Sequence, residues 1–288
     1  MKTFRLLARI ILSAAVSGAS LYAQRPIHRG DNAALRYWSA FAEMEDSGVT
    51  QKQAKELNQI LAGTAPYNDL EYKDLIEKNR TALQTMARGS ALPNCNWGID
   101  YQLGPDAPMD YVRKALELGR LNVLYAFHLS LSGDKDGAVR ALAAGVRFSR
   151  DVANGGTLFA TLIAKSLLAA DFRAMAFMVH VDRLSASERM VLEKSVAQLA
   201  PSGLDWQSAM RRELDVLKEA PSVPREALGR IIPVYLAALN NPSRLPELHK
   251  MIAGAPRAVQ DVLPNPSRVV AEKQDLTRQL LRTKSMLR

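Results

Sequence analysis

The 288-residue chain is poor in cysteine, aromatic residues and histidine, and each shortage excludes a class of protein. With Cys95 alone, the chain can form neither an internal disulfide framework nor a zinc site built on several cysteines. Aromatic residues make up 6 % of the chain. This low value, together with an excess of alanine and leucine, argues against a β-sandwich or barrel, because alanine and leucine lose little side-chain freedom in a helix. We therefore expect an all-α protein.

Motifs that carry catalysis are also missing. The sequence has no His-Glu-x-x-His, no Gly-x-Ser-x-Gly, no dinucleotide-binding glycine pattern and no phosphate-binding loop. The histidines lie too far apart in sequence for two of them to share one helical face as metal ligands; they are His28, His128, His180 and His249. Asp134-Lys135-Asp136-Gly137 is only a fragment of a calcium-loop pattern and is better interpreted as a solvated turn. We expect no metal and no cofactor, and an enzyme is the less favoured class.

The N-terminus has the three parts of a secretory signal peptide. Residues 1–9 carry three basic and no acidic residues, residues 10–21 are apolar or small, and a small-residue junction ends at Ala23. Such an order predicts export to the periplasm or the medium, with cleavage after Ala23. Cleavage after Ala19 and a retained N-terminal anchor are the alternatives.

Removal of this segment lowers the net charge and changes which partners that charge predicts. Loss of Lys2, Arg5 and Arg9 lowers the formal net charge from +9 to +6. Outside the cytoplasm nucleic acid is not an expected partner, whereas anionic lipid head groups, glycans and cell-wall polymers are available. The remaining charge therefore predicts an anionic surface of the cell envelope as one kind of partner.

Residues 24–265 have the hydrophobic periodicity of a single α-helical domain. Apolar residues recur every three to four positions, which predicts one helix after another. The predicted helices cover about 32–44, 50–62, 68–88, 110–131, 138–152, 157–181, 187–199, 205–219, 225–239 and 267–288. The expected helix caps are Asp31 or Asn32, Thr50, Thr157, and Ser185 or Ser187, and Gly63 is the expected stop of the second helix. The helix at 157–181 is apolar on nearly every side, so we expect it to be central. Lys165, Asp171 and Arg173 in its middle argue against a membrane span.

One pair of these helices resembles a tetratricopeptide hairpin. In Leu131–Leu142 a Gly-Asp turn separates two helices, and Ala126 and Ala138 are the small residues that allow such helices to approach closely. The match covers one hairpin. We expect stacked antiparallel helical hairpins, arranged either as a tetratricopeptide-like solenoid or as an irregular bundle.

Residues 89–108 interrupt the helices with three prolines and three glycines. Four apolar side chains alternate along the segment: Trp97, Ile99, Tyr101 and Leu103. This pattern predicts an extended segment with one edge on the protein. Either Trp97, Asp100 and Tyr101 form a wall that binds a sugar or a peptide, or the segment is a structural clamp in which Trp97 fills a gap and Cys95 is buried.

The order of features over about 90–181 resembles a group of uncharacterised exported α-helical proteins of bacteria. It begins with Cys95-Asn96-Trp97-Gly98-Ile99-Asp100 and continues with a helix, the Gly-Asp turn, a second helix, Gly-Gly-Thr and the long apolar helix. The resemblance implies the fold and the exported location. It implies no activity.

The C-terminal segment 266–288 is predicted to be a basic amphipathic helix. Lys273, Arg278 and Arg282 could contact an anionic surface. Alternatively, the apolar stripe packs on the domain itself; it consists of Val269, Leu276, Leu280 and Leu287.

The function most consistent with these features is a non-catalytic scaffold of the cell envelope that binds a protein or peptide. The alternative is an envelope enzyme that acts on glycan or peptidoglycan and uses the loop of Trp97, Asp100 and Tyr101.

Overall fold

The regular structure is entirely helical, as the composition predicts. A computed structural model describes residues 29–45, 51–181 and 184–288, and these ranges contain α-helices, short 3-10 turns and no β-strand. The predicted signal peptide at 1–23 and the predicted helix cap Thr50 lie outside the described residues. Arg29–Asp31 is a 3-10 turn, and Asn32–Arg288 forms one compact unit that includes the C-terminal helix.

Thirteen α-helices are present in the described ranges. They are α1 Ala33–Glu43, α2 Gln51–Ala62, α3 Asp69–Lys78, α4 Arg80–Ser90, α5 Asp110–Leu131, α6 Lys135–Ala153, α7 Leu158–His180, α8 Ala186–Ala197, α9 Trp206–Lys218, α10 Arg225–Asn240, α11 Leu245–Ala253, α12 Arg257–Val262 and α13 Pro266–Leu287. Further 3-10 turns cover Tyr101–Asp106 and Pro242–Arg244.

Several helices begin at a polar residue whose side chain caps the first turn, among them the predicted caps Asn32 and Ser185. The side chains of Asn32, Asp134 and Asp205 accept hydrogen bonds from backbone N–H groups of the first helical turn, and Ser185 forms a capping box with Glu188. These bonds satisfy N–H groups that have no partner inside the helix.

The prediction of one helix over 68–88 is wrong, because Asn79 divides it into α3 and α4. Asn79 is fully buried, and its side-chain amide donates to the carbonyl of Leu75 at 3.0 Å while its Oδ1 accepts from the N–H of Glu45 at 3.1 Å. An asparagine that bonds to the backbone in this way competes with helical hydrogen bonding. The chain therefore changes direction at this residue.

The proline-rich tail also contains more helix than predicted. Pro246 lies in the first turn of α11, and Pro256 is the residue before α12. A proline at the start of a helix removes an N–H that would have no intrahelical partner, so it permits these short helices.

The central position of α7 is confirmed. This helix packs against α2, α5, α6, α9 and α13. In the described part of the chain, no helix has the length and apolar character needed to cross a bilayer. The helix is thus a packing partner shared by five of the other helices.

The contact between α6 and α7 is close because Gly145 has no side chain. A Cβ atom at this position would lie 2.6 Å from Oδ1 of Asp171 and 2.7 Å from the side-chain nitrogen of Asn122. Asp171 is buried on α7, its Oδ2 lies 3.5 Å from the Ser149 hydroxyl, and its Oδ1 has no hydrogen-bond partner. Burial raises the pKa of this carboxyl well above its ordinary value, since water is not present to solvate a charge.

We expect the substitution Asp171→Asn to flatten the pH dependence of stability. The folded wild type keeps Asp171 neutral while the unfolded chain ionises it, so wild-type stability falls as pH rises above the ordinary pKa, by up to about tenfold in the folding constant per pH unit. Asparagine removes this loss. Urea unfolding at about pH 4.5 and pH 7.5 should therefore show a variant whose advantage over wild type grows with pH.

The exposed Asp74→Asn is the matched control, because Asp74 lies on the surface of α3. It should leave the pH dependence unchanged. An Asp171→Asn variant with the wild-type pH profile would contradict the assignment of a neutral buried carboxyl.

Candidate functional site

Trp97 lies beneath the loop, against the aromatic core. Its side chain is 7 % exposed, and its ring stacks on Tyr111 at 4.2 Å and on Tyr37 at 5.6 Å between centroids. The indole N–H donates to the carbonyl of Asp151 on α6 at 2.8 Å. These contacts use the surfaces that a bound sugar would need, so the geometry favours the structural clamp over the binding wall.

Two asparagine side chains fasten the backbone of the loop. The side chain of Asn32 accepts from the N–H of Asn96 at 2.8 Å and donates to its carbonyl at 2.9 Å. Asn154 donates to the carbonyl of Cys95 at 3.1 Å. The sequence analysis did not identify these contacts, because they join residues that are about sixty positions apart.

Asp151 is the buried group on which the clamp depends. Its carboxylate accepts from the Tyr37 hydroxyl at 2.7 Å and from two guanidinium nitrogens of Arg150 at 3.1 and 2.8 Å. Burial raises the pKa of this carboxyl, although the bonds from Arg150 and Tyr37 act in the opposite direction. Both oxygens are thus engaged by the protein, which suits a structural role and leaves no free base.

Asp100 and Tyr101 point to separate partners and do not converge with Trp97. Asp100 is exposed and accepts from the N–H of Gln102 at 3.0 Å, which starts the 3-10 turn. The Tyr101 hydroxyl donates to the carbonyl of Gly155 at 2.8 Å, and the Arg212 guanidinium lies 4.8 Å from the centre of its ring.

The predicted alternation ends where this turn begins. Leu103 is 54 % exposed, so the expectation that it faces inward with Trp97 is wrong. The reason is that a 3-10 turn repeats every three residues and a strand every two.

The C-terminal helix packs its apolar stripe on the domain. Each stripe residue of α13 is buried: Val269, Leu276, Leu280 and Leu287. Lys273 is half-buried and donates to the carbonyl of Leu239 at 2.7 Å, at the end of α10. Arg278 is exposed beside Asp275 at 3.6 Å, and Arg282 is exposed. Of the three residues predicted to contact an anionic surface, Arg278 and Arg282 face solvent. Lys273 instead bonds to a carbonyl at the end of α10.

His128 lies between two carboxylates. Its Nδ1 is 2.7 Å from Oδ1 of Asp69, and its Nε2 is 3.8 Å from Oε1 of Glu77. Burial acts to raise the pKa of Asp69, but hydrogen bonds from His128 and Tyr67 outweigh it and lower that pKa. A histidine whose Nδ1 is bonded to Asp69 and whose Nε2 lies beside Glu77 is suited to joining α5 to α3.

A cavity of about 470 Å³ lies between α2, α5 and α7. Its walls are mostly apolar; they include Ile60, Leu61, Ala65, Tyr67, Val123, Phe127, Leu131, Ala170, Ala174 and Phe177. Leu131 is 61 % exposed and Phe177 is 43 % exposed at its mouth. The volume falls within the range of roughly 300–1,000 Å³ that is typical of small-molecule sites.

One wall of the cavity is formed by the connection that follows α2. Gly63 adopts a left-handed φ of 72°, and the N–H of Thr64 donates to the carbonyl of Gln59 at 2.9 Å. This arrangement ends the helix at the glycine that the sequence predicts as its stop. The segment that follows forms one wall, with Ala65 half-buried in it.

Arg173 on α7 is the charged residue in this wall. Its Nε donates to the carbonyl of Leu61 at 2.6 Å, which fixes the end of α2. Burial lowers the pKa of this guanidinium, and the nearby Asp275 opposes the change. Arg173 also borders a second, polar cavity of about 390 Å³ between α7 and α13.

The polar cavity is organised by Lys165. Its ammonium group lies 2.7 Å from Oε2 of Glu272 and 2.8 Å from Oδ2 of Asp275. Burial acts to lower the pKa of Lys165, but the bonds to Asp275 and Glu272 outweigh it and raise that pKa. The pair of bonds joins α13 to the central helix.

The structure thus defines an all-α protein with an apolar cavity beside its central helix. Among the described residues, no group of three or more histidine, cysteine or acidic side chains is arranged to hold a metal ion. No family model, no curated protein and no solved structure matches the chain.

We expect the Cys95 thiol to report on docking of the loop. The thiol is buried beside the carbonyl of Asp151 at 3.7 Å, and burial raises its pKa, so the native protein should react with iodoacetamide far more slowly than the protein unfolded in guanidinium. Trp97→Ala removes the ring that holds the loop down. It should speed labelling of the native protein by more than about tenfold, as measured by mass spectrometry.

Leu103→Ala is the control at the exposed end of the same loop and should leave the labelling rate unchanged. Equal rates for wild type and Trp97→Ala would show that the ring does not hold the loop in place.

Proposed function

We propose that this chain is a non-catalytic binding protein of the cell envelope and that the cavity between α2, α5 and α7 is its binding site. The observation that carries the proposal is an open apolar cavity in the wall of the helical stack. Two exposed apolar side chains, Leu131 and Phe177, stand at its mouth. Water makes no hydrogen bonds to these apolar side chains, so its replacement by an apolar group of a ligand is favourable.

The charged groups around the cavity support binding over catalysis. His128 is enclosed by Asp69 and Glu77, and the Tyr67 hydroxyl donates to Asp69 at 2.9 Å. General acid–base catalysis needs a titrating group within hydrogen-bond reach of a substrate. These groups are instead committed to one another.

The predicted stack of helical hairpins and the predicted export are parts of the same proposal, in which the cavity replaces a protein- or peptide-binding surface as the site. The hairpin of α5 and α6 supports a tetratricopeptide-like arrangement, since Ala126 and Ala138 are fully buried in it. Location in the periplasm or outside the cell depends on the segment 1–23 and on its cleavage after Ala23. The alternative enzyme has less support, because it requires Trp97 as the wall of a cleft.

We expect the neutral apolar fluorophore N-phenylnaphthylamine to bind the mature chain, with a blue-shifted and stronger emission. Ala65→Trp places a large ring in the cavity wall and should abolish this binding. Phe177→Ala removes apolar contact at the mouth and should weaken binding by about fivefold or more. Fluorescence titration measures both effects.

Phe159→Ala is the matched control, since Phe159 is 55 % exposed on the same helix and does not line the cavity. It should bind the fluorophore as the wild type does. If Ala65→Trp is folded by circular dichroism and binds with wild-type affinity, the cavity is not the site.

A further inference from the structure

We propose that the ligand of this cavity is a single-chain amphiphile with an anionic head group, whose alkyl chain enters the cavity and whose head pairs with Arg173. This inference rests on the proposed function, because it uses the same site. It adds the chemistry of the ligand's alkyl chain and of its charged head group.

The apolar walls select against a ligand with many polar groups. Besides Arg173, the polar side chains that line the cavity include Thr64 and Tyr67, and their hydroxyls already donate to Gln59 and Asp69. An extended peptide would bring backbone N–H and carbonyl groups that lose their water without gaining partners, which is unfavourable. An alkyl chain has no such groups, so its burial carries no polar penalty.

Arg173 supplies the charge complementarity at the other end. One nitrogen, Nε, is engaged by the carbonyl of Leu61, while the two terminal nitrogens have no hydrogen-bond partner among the described residues. A guanidinium presents its N–H groups in a planar fork that matches a carboxylate. Arg173 is exposed as a whole residue, but partial desolvation lowers the pKa of its guanidinium, so a bound anion would stabilise its charge.

The acidic residues nearby do not occupy this role. Glu272 and Asp275 are bonded to Lys165, and Asp275 also lies beside Arg278. Asp275 therefore acts on Arg173 through its field and makes no hydrogen bond to it. Because Arg173 borders both cavities, the apolar chain can lie on one side of it and the head group on the polar side.

The decisive experiment displaces N-phenylnaphthylamine from the mature chain with three ligands of equal chain length: laurate, dodecanol and dodecyltrimethylammonium, each below its micelle concentration. Laurate should bind about tenfold or more tightly than dodecanol, and the cation should bind most weakly. Arg173→Gln should remove the preference for laurate and keep the affinity for dodecanol. Arg173→Lys should keep part of the preference.

The ligand comparison on the wild type tests the proposal even if Arg173→Gln fails to fold. Equal binding of laurate and dodecanol would overturn the anionic head group and leave the proposed function standing. Failure of N-phenylnaphthylamine to bind would instead remove the proposed function. Retention on phosphatidylglycerol vesicles with no binding of monomeric laurate would also overturn the inference, because the partner would then be a membrane surface.

Discussion

The fold depends on how three ionisable residues are accommodated along its most apolar helix. Lys165, Asp171 and Arg173 lie within about two turns of α7, and the helix packs against five others. A charge in such a place is costly unless it is paired or neutralised. Each residue meets this requirement differently: Lys165 binds two carboxylates of α13, Asp171 is held neutral against α6, and Arg173 binds the Leu61 carbonyl near the end of α2. The position of three neighbouring helices follows from these solutions.

The need to accommodate buried polar groups also determines how the loop at 89–108 is held. Asp171 can lie flat against α6 because Gly145 leaves room for it, and α6 carries Asp151 further along. The Asp151 carbonyl then receives the indole N–H of Trp97, and its carboxylate receives the Tyr37 hydroxyl of α1. Buried polar groups are stable when they have partners, and both carboxylate oxygens and the carbonyl of Asp151 have them. Oδ1 of Asp171 has no hydrogen-bond partner, and that carboxyl is accommodated by being held neutral. The loop is thereby part of the core.

Local chemistry explains which features were predictable from the sequence. Helix caps such as Asn32 and Ser185, the stop at Gly63 and the central helix depend on neighbours in the sequence and on periodicity, and their predictions are confirmed. The bend at Asn79 depends on Glu45, which is distant in sequence. Thr157 illustrates the same limit: it precedes α7 as predicted, but the side chain that accepts from the first helical N–H is that of Glu213 on α9.

The cavity could not be predicted for the same reason, since its walls come from α2, α5, α7 and the connection after Gly63. The cavity is distinguished by a difference in hydrogen bonding between two cationic residues of α7, Lys165 and Arg173. Lys165 is paired with two carboxylates, whereas Arg173 bonds to a carbonyl through Nε, and its terminal nitrogens have no hydrogen-bond partner in the part of the chain that the structure describes. To hold the end of α2, Arg173 needs only Nε, which bonds to the Leu61 carbonyl. A lysine could supply that bond, but it could not also present a planar fork toward the cavity. An arginine at this position therefore offers a hydrogen-bonding capacity that the fold itself does not consume, next to an apolar space that the fold leaves open.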